Sequence, residues 1–366
     1  MIDVAALQAA IGQVEDPEIH RTLEELNMLR EVEVAEDGVV RVLVALTIPG
    51  CPLKDKLTAD VTAAARSVDG VSAVEVSFTS MTEDERNELT KDLRGGVEPA
   101  EIPLARAGAK TRVIAVSSGK GGVGKSSVTA NLAVALAAAG RTVGVMDADV
   151  WGFSIPRMLG VDRPPTVVDE ILFPPEIHNV KVMSMDFFVP DDQAVIWRGP
   201  MLHKAMEQFL SDVHWDDPDY LIVDMPPGTG DVSISLSQFL PMAQALIVTT
   251  PQITAQRVAK RAGLMATKVN QEILGVVENM SWFTGDDGKR YPIFGEGGGQ
   301  TLADELGVPL LGQIPLVPAV RAAADGGVPI ATAEPDSEAA AAFAALAEAI
   351  DERKPRLRSH PQLVIN

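Results

Sequence analysis

Apolar positions along this chain follow two regimes. Over the first 93 residues they come in short runs: LREVEV and VVRVLVALTI flank the turn AEDG, where Asp37-Gly38 supplies a hairpin signal. A helix from Pro52 to about Ser67 and a strand VSAVEVSF follow, so residues 1–93 read as a small α+β domain. Residues 94–110, RGGVEPAEIPLARAGAK, have no period and read as a linker.

From residue 111 the regime changes. Near-continuous apolar runs, TRVIAVSS, TVGVMDAD, YLIVDMPP, QALIVTTP, GVVENM and PLLGQIP, alternate with helical segments. Strands apolar on both faces and separated by helices predict an α/β domain over 111–352, with a mainly parallel sheet covered by helices on both faces. Its last helix, about Ser337 to Glu352, carries Phe343, Leu346 and Ile350 on one face, and residues 353–366 read as a tail.

Charge narrows the partners. Lys+Arg total 31 against Asp+Glu 51, a formal net charge of -20, which repels nucleic acid and anionic membrane; neither is an expected partner. No apolar stretch is long enough to span a bilayer, and the start MIDVAALQAAIGQVEDPEI lacks a positive segment followed by an apolar one, so a cytoplasmic protein is expected. A single cysteine, Cys51, excludes an intrachain disulfide.

The strongest chemical signal is GKGGVGKS, Gly119 to Ser126, between the strand TRVIAVSS and a helix expected to be amphipathic through Val128, Leu132 and Leu136. Gly119, Gly121, Gly122 and Gly124 let backbone N–H groups approach a phosphate, with Val123 and Ser127 completing the cradle. Lys125 is placed for the β/γ oxygens and the Ser126 hydroxyl for Mg²⁺. Asp224 ends an apolar strand and suits the Mg²⁺ shell through water, while Gly228 offers an amide to a γ-phosphate. Asp147 and Asp149 end another strand, and one of them, with Asp149 favoured, is expected to orient the attacking water. Lys120, four residues before Lys125, is one lysine more than the loop needs.

With that extra lysine, residues 111–350 resemble the deviant Walker A group of P-loop ATPases, which contains MinD, ParA and the nitrogenase iron protein. The resemblance implies ATP as ligand, a homodimer, and a Lys120 that reaches the partner's nucleotide. By the same analogy Asn279 would bond the adenine edge and Pro315 would pack on its face. DADVWGFSIPRMLG, WRGPMLHKAMEQFL, DMPPGTGDVSISLSQ, GVVENMSWF and FGEGGGQTLADELGVPLLGQIPL are similar, in order, to the Mrp/ApbC iron–sulfur cluster carrier ATPases. DPEIHRTLEELNMLREVEV and LTIPGCPLKDKL resemble the SufT/PaaD-type metal–sulfur assembly domain. Iron–sulfur apoproteins or assembly factors are the partners this implies. A MinD/ParA-type positioning ATPase is the alternative; Glu338, Glu348 and Glu352 on the last helix are unlike a basic membrane anchor.

One departure matters. Family members usually carry Cys-x-x-Cys after ENMS, whereas no cysteine stands between Ser281 and Gly299 here. A cluster normally takes four thiolates, and two copies of this chain offer two. Cys51 with thiols from elsewhere, oxygen ligands such as Asp286 or Asp287, and loss of direct cluster handling all stay open. TGDDGKR reads as a tight surface turn. Cys51, before Pro52, is either a thiolate at a helix N-terminus or a small buried residue. His20, His178, His203, His214 and His360 form no ligand spacing, the methionines of VMSMDFFV read as core filling, and Trp151 and Trp197 as packing near the switch segments or at a dimer rim.

Overall fold

The computed structural model describes residues 2–47, 54–89, 102–189 and 199–353, apart from 18, 20, 36, 83, 86, 87, 107 and 229. Cys51, Trp197, His20 and His360 lie outside the described residues. The chain divides into two compact units, Met1–Pro103 with Pro165–Pro175 and Ser211–His214, and Leu104–Pro164 with Glu176–Leu210 and Trp215–Asn366.

In the first unit, β1 (Leu29–Val34) pairs antiparallel with β2 (Val39–Leu46), and β3 (Ala73–Ser80) lies parallel on the other side of β2. Two helices, α1 (Val4–Gly12) and α2 (Lys54–Arg66), belong to the same unit. Asp3 starts α1 by accepting from the Ala5 and Ala6 amides. Val40, Val42 and Val44 alternate inward from β2, and Leu57, Val61 and Ala65 recur at helical spacing on α2; all are buried in one core. That core also takes Val168, Ile171 and Phe173 from the hairpin β6 (Thr166–Val168) and β7 (Ile171–Phe173). Its turn, Asp169-Glu170, has positive φ at both residues without a glycine, so no familiar turn signal marked it.

The second unit is built on an eight-stranded sheet of order β15-β12-β11-β4-β10-β5-β9-β8. The strands are β4 (Arg112–Ser118), β5 (Val143–Asp147), β8 (Glu176–Ile177), β9 (Val180–Ser184), β10 (Tyr220–Asp224), β11 (Gln244–Thr249), β12 (Glu272–Glu278) and β15 (Leu310–Gln313). Only the β8–β9 pair is antiparallel. Met183 and Met185 are buried, as the reading of VMSMDFFV as core filling expects, and Val182 and Met183 lie on β9 beside β5, a strand that reading did not mark. The tight β8–β9 turn through His178-Asn179, with φ of 52° and 58°, replaces the helix that announces the other strands.

Helix α3 (Lys125–Ala138) follows β4. It is buried almost all round, not amphipathic, because it is packed against the sheet and against α4 (Ile155–Leu159), α10 (Ile330–Ala333) and α11 (Glu338–Asp351). The remaining helices are α5 (Gly199–Ser211), α6 (Asp231–Phe239), α7 (Ile253–Lys268), α8 (Gly298–Leu306) and α9 (Pro318–Asp325). Ser337 caps α11, whose Phe343, Leu346 and Ile350 face the core as their spacing predicts. No helix among the described residues is long and apolar enough to cross a membrane. Ser118, Asp147, Asp224, Thr249 and Glu278 close their parallel strands at one end of the sheet, where an α/β fold gathers its ligands.

Candidate nucleotide-binding site

The loop from Gly119 to Gly124 joins β4 to α3. Gly122 and Gly124 have φ of 80° and 78°, a region that favours glycine. A side chain at Gly119 would collide with the backbone of Val258 on α7, and one at Gly124 with the Asn279 amide. Ser118 Oγ donates to the Lys120 carbonyl at 3.1 Å, which fixes the loop's first turn.

Lys125 is 6% exposed and opens α3. Its Nζ lies 2.7 Å from Asp224 Oδ2 and 3.5 Å from Asp149 Oδ2, and donates to Ser126 Oγ at 3.2 Å. Ser126 Oγ donates to the same Asp224 oxygen at 2.6 Å. Asp224 is fully buried. The loop's cation is therefore neutralised by Asp224, which closes β10, and by Asp149, two residues beyond the end of β5.

The two acids of DAD separate by geometry. Asp147 accepts from the amides of Asp149, Ser154 and Ile155 at 3.1–3.2 Å and from Ser184 Oγ at 3.4 Å, so it braces the loop between β5 and α4. Burial, reinforced by the Asp224 charge, pushes its carboxyl up to about 7 against those amide bonds. Asp149 is the acid beside Lys125; burial raises its pKa and the lysine opposes that rise.

The other expected residues sit at the same sheet end. Gly228, φ 96°, donates its amide to the Ser118 carbonyl at 2.9 Å, so sensing a phosphate requires that bond to open. Asn279 is buried and its Nδ2 donates to the Val123 carbonyl at 2.9 Å, which ties the end of β12 to the phosphate loop. Pro315 is buried just beyond β15, next to that strand end. Lys120 is half-buried, and its amine has no ion-pair partner among the described residues. Sequence reasoning missed Thr129, whose Oγ1 donates to Asp224 Oδ1 at 2.7 Å. The available signal was its i+4 spacing from Lys125 on one helix face.

TGDDGKR forms the turn of a hairpin between β13 (Phe283–Thr284) and β14 (Arg290–Tyr291), as expected. Asp287 accepts from the Lys289 amide and Tyr291 Oη, which hold its pKa below the usual carboxylate range. Glu338 on α11 accepts from Trp282 Nε1, Thr284 Oγ1 and Arg290, and Arg290 lies 4.1 Å over the Trp282 ring. No group of three His, Cys, Asp or Glu suited to a metal occurs among the described residues. His203 meets Ser235 Oγ at 2.9 Å and His214 packs on Phe173, both structural contacts. Trp151 is 68% exposed.

A family model described as the NUBPL iron-transfer P-loop NTPase matches residues 109–351, and one for an iron–sulfur cluster assembly protein matches residues 5–78. The iron-sulfur cluster carrier protein of Mycobacterium tuberculosis is 49% identical over 356 residues, covering 96% of this chain and 93% of the relative. Among solved structures, a nucleotide-binding protein from Archaeoglobus fulgidus in complex with ADP is 38% identical with a TM-score of 0.53, covering 59% of this chain and 87% of that one. The cell division ATPase MinD of Pyrococcus furiosus is 30% identical with a TM-score of 0.51, covering 66% of this chain and 98% of its own. The phosphate loop, the parallel sheet and these matches agree: the chain belongs to the NUBPL-type iron-transfer P-loop NTPase family and carries an iron–sulfur cluster assembly domain in front.

Proposed function

We propose that this chain is a cytoplasmic Mg²⁺-dependent ATPase that acts as a homodimer in passing iron–sulfur clusters to apoproteins or assembly factors. The observation that carries the reading is the meeting of Lys125, Ser126, Asp149 and Asp224 at the mouth of the phosphate loop. Ser126 Oγ and Asp224 Oδ2, 2.6 Å apart, are the hard oxygen donors Mg²⁺ prefers. They would hold the ion, Asp224 through water, and the ion would neutralise phosphate charge.

Lys125 exchanges its carboxylate partners for phosphate oxygens when nucleotide enters, since a triphosphate carries more negative charge than the pair it replaces. Asp149, released from the lysine, is the acid that orients the attacking water. Lys120 neutralises the phosphoryl group held by the partner copy, which makes hydrolysis depend on assembly. Asn279 keeps one N–H and its Oδ1 outside the Val123 bond, enough for the edge of adenine, and Pro315 packs on the ring.

The cluster is cargo. With two cysteines per homodimer the chain cannot supply four thiolates, so its part in cluster transfer is indirect and uses thiols from its partners. The positioning alternative has no observation in its favour, and Glu348 on α11 and Glu352 at its C-cap are exposed. The test is anaerobic reconstitution with iron and sulfide, read by absorbance and metal count on wild type and Cys51→Ser, beside Mg²⁺-dependent ATP hydrolysis. Hydrolysis without a stably held cluster is the expected result. A full cluster retained by both proteins would contradict the indirect route, and absence of hydrolysis would refute the enzyme.

A further inference from the structure

Thr129 lies one helical turn beyond Lys125 on α3 and is fully buried. Its Oγ1 is 2.7 Å from Asp224 Oδ1 and 3.1 Å from the Lys125 carbonyl. A hydroxyl has one proton, and the nearer, charged acceptor takes it. The two oxygens of Asp224 are thereby divided. Oδ1 accepts from Thr129 inside the protein, while Oδ2 accepts from Lys125 Nζ and Ser126 Oγ at the phosphate loop.

That division has a physical use. The terminal torsion of an aspartate is broad, so a carboxylate whose lysine partner has left for a nucleotide needs another bond to keep its orientation. Among the described residues, Thr129 is the side chain that donates to Oδ1. We infer that Thr129 is the positioning residue that keeps Asp224 turned with Oδ2 toward the phosphate loop, and so sets how well a nucleotide-bound magnesium ion is held. The inference rests on the magnesium role proposed for Asp224. Thr129 itself reaches neither ion nor nucleotide; it acts through the carboxylate.

The readout is the gain in nucleotide affinity that magnesium brings: the Kd of the full chain for a fluorescent ADP analogue in excess EDTA, divided by the Kd in Mg²⁺. Thr129→Val keeps the shape and loses the hydroxyl. The expected result is a ratio lowered by about tenfold, the size of one lost hydrogen bond to a charged group. Thr129→Ser restores the ratio to within about twofold of wild type, since it returns the donor. A residue needed only for packing would lower the melting temperature and leave the ratio alone. A wild-type ratio in Thr129→Val, whatever its melting temperature, overturns the inference. Should that variant not fold, Thr129→Cys, a weaker donor, must give a lowered ratio, and a wild-type value there overturns it equally. If the wild-type chain shows no magnesium gain, the role of Asp224 fails and this inference falls with it; if the gain is present but insensitive to Thr129, only this inference falls.

Discussion

Lys125 Nζ and Asp224 Oδ2 stand 2.7 Å apart with both side chains out of solvent, and Asp149 Oδ2 lies 3.5 Å from the same nitrogen. A buried pair of this kind contributes little net stability when complete, but removal of one partner strands the other's charge. The lysine of the phosphate loop is therefore also what makes burial of Asp224 tolerable.

It follows that Lys125→Ala damages more than phosphate binding. The variant should lose about 3–5 kcal/mol of nucleotide-free stability in urea unfolding, the range for an uncompensated buried charge. A loss below about 0.5 kcal/mol, the size of an ordinary surface substitution, would show that the pair is not formed in solution.

The glycines of the loop should separate into two kinds. Gly119→Ala drives a methyl group into the Val258 backbone, which only movement of α7 can relieve, so the melting temperature falls and nucleotide binding is lost. Gly121→Ala meets no atom within 4 Å and should leave the nucleotide-free melting temperature unchanged. Equal effects of the two substitutions would contradict the packing of the loop on α7.

Asp147 gives the nucleotide-free protein a pH dependence of definite sign. Its folded pKa of about 7 lies above the unfolded value of about 3.9, so the native state holds the extra proton between them. This contribution to stability is complete below about pH 4 and is lost as pH rises through 7. Asp147→Asn does not titrate. Urea unfolding without Mg²⁺ at pH 5 and pH 7.5 should show a smaller loss of stability across that interval in the variant than in wild type; parallel curves would contradict the burial of this acid.

Much of this was legible in the sequence, for identifiable reasons. The phosphate loop and the strand-ending Asp224 could be found because glycine, lysine and carboxylate stand at spacings that phosphate chemistry demands, and near-continuous apolar runs marked six parallel strands. What stayed hidden depended on partners distant in sequence. Asp147 and Asp149 are two residues apart and alike in type, and only the amides of Ser154 and Ile155 make one a brace and leave the other beside Lys125. β9 lacked an announcing helix, and the β6–β7 hairpin turns on Asp169-Glu170 without a glycine. The helix after the loop was expected to show one apolar face, but α11 and α4 pack on what would have been its outer side.

The hairpin that stands where a Cys-x-x-Cys was expected is clasped to α11 through Glu338. Glu338→Ala removes the acceptor of three donors at once. Hydrogen exchange at the Gly285 amide, which closes the turn onto the Lys289 carbonyl, should accelerate while global stability changes by no more than about 1 kcal/mol. Unchanged exchange there would show that the clasp does not order the turn.

If a lysine from a second copy completes the ATP site, as proposed, ATP turnover per chain must depend on protein concentration. Wild-type turnover should rise with concentration to a plateau, while Lys120→Ala stays at least about a hundredfold lower throughout and still binds nucleotide as a monomer. Turnover that is independent of concentration, and undiminished in Lys120→Ala, would show that each copy hydrolyses ATP without a lysine from its partner.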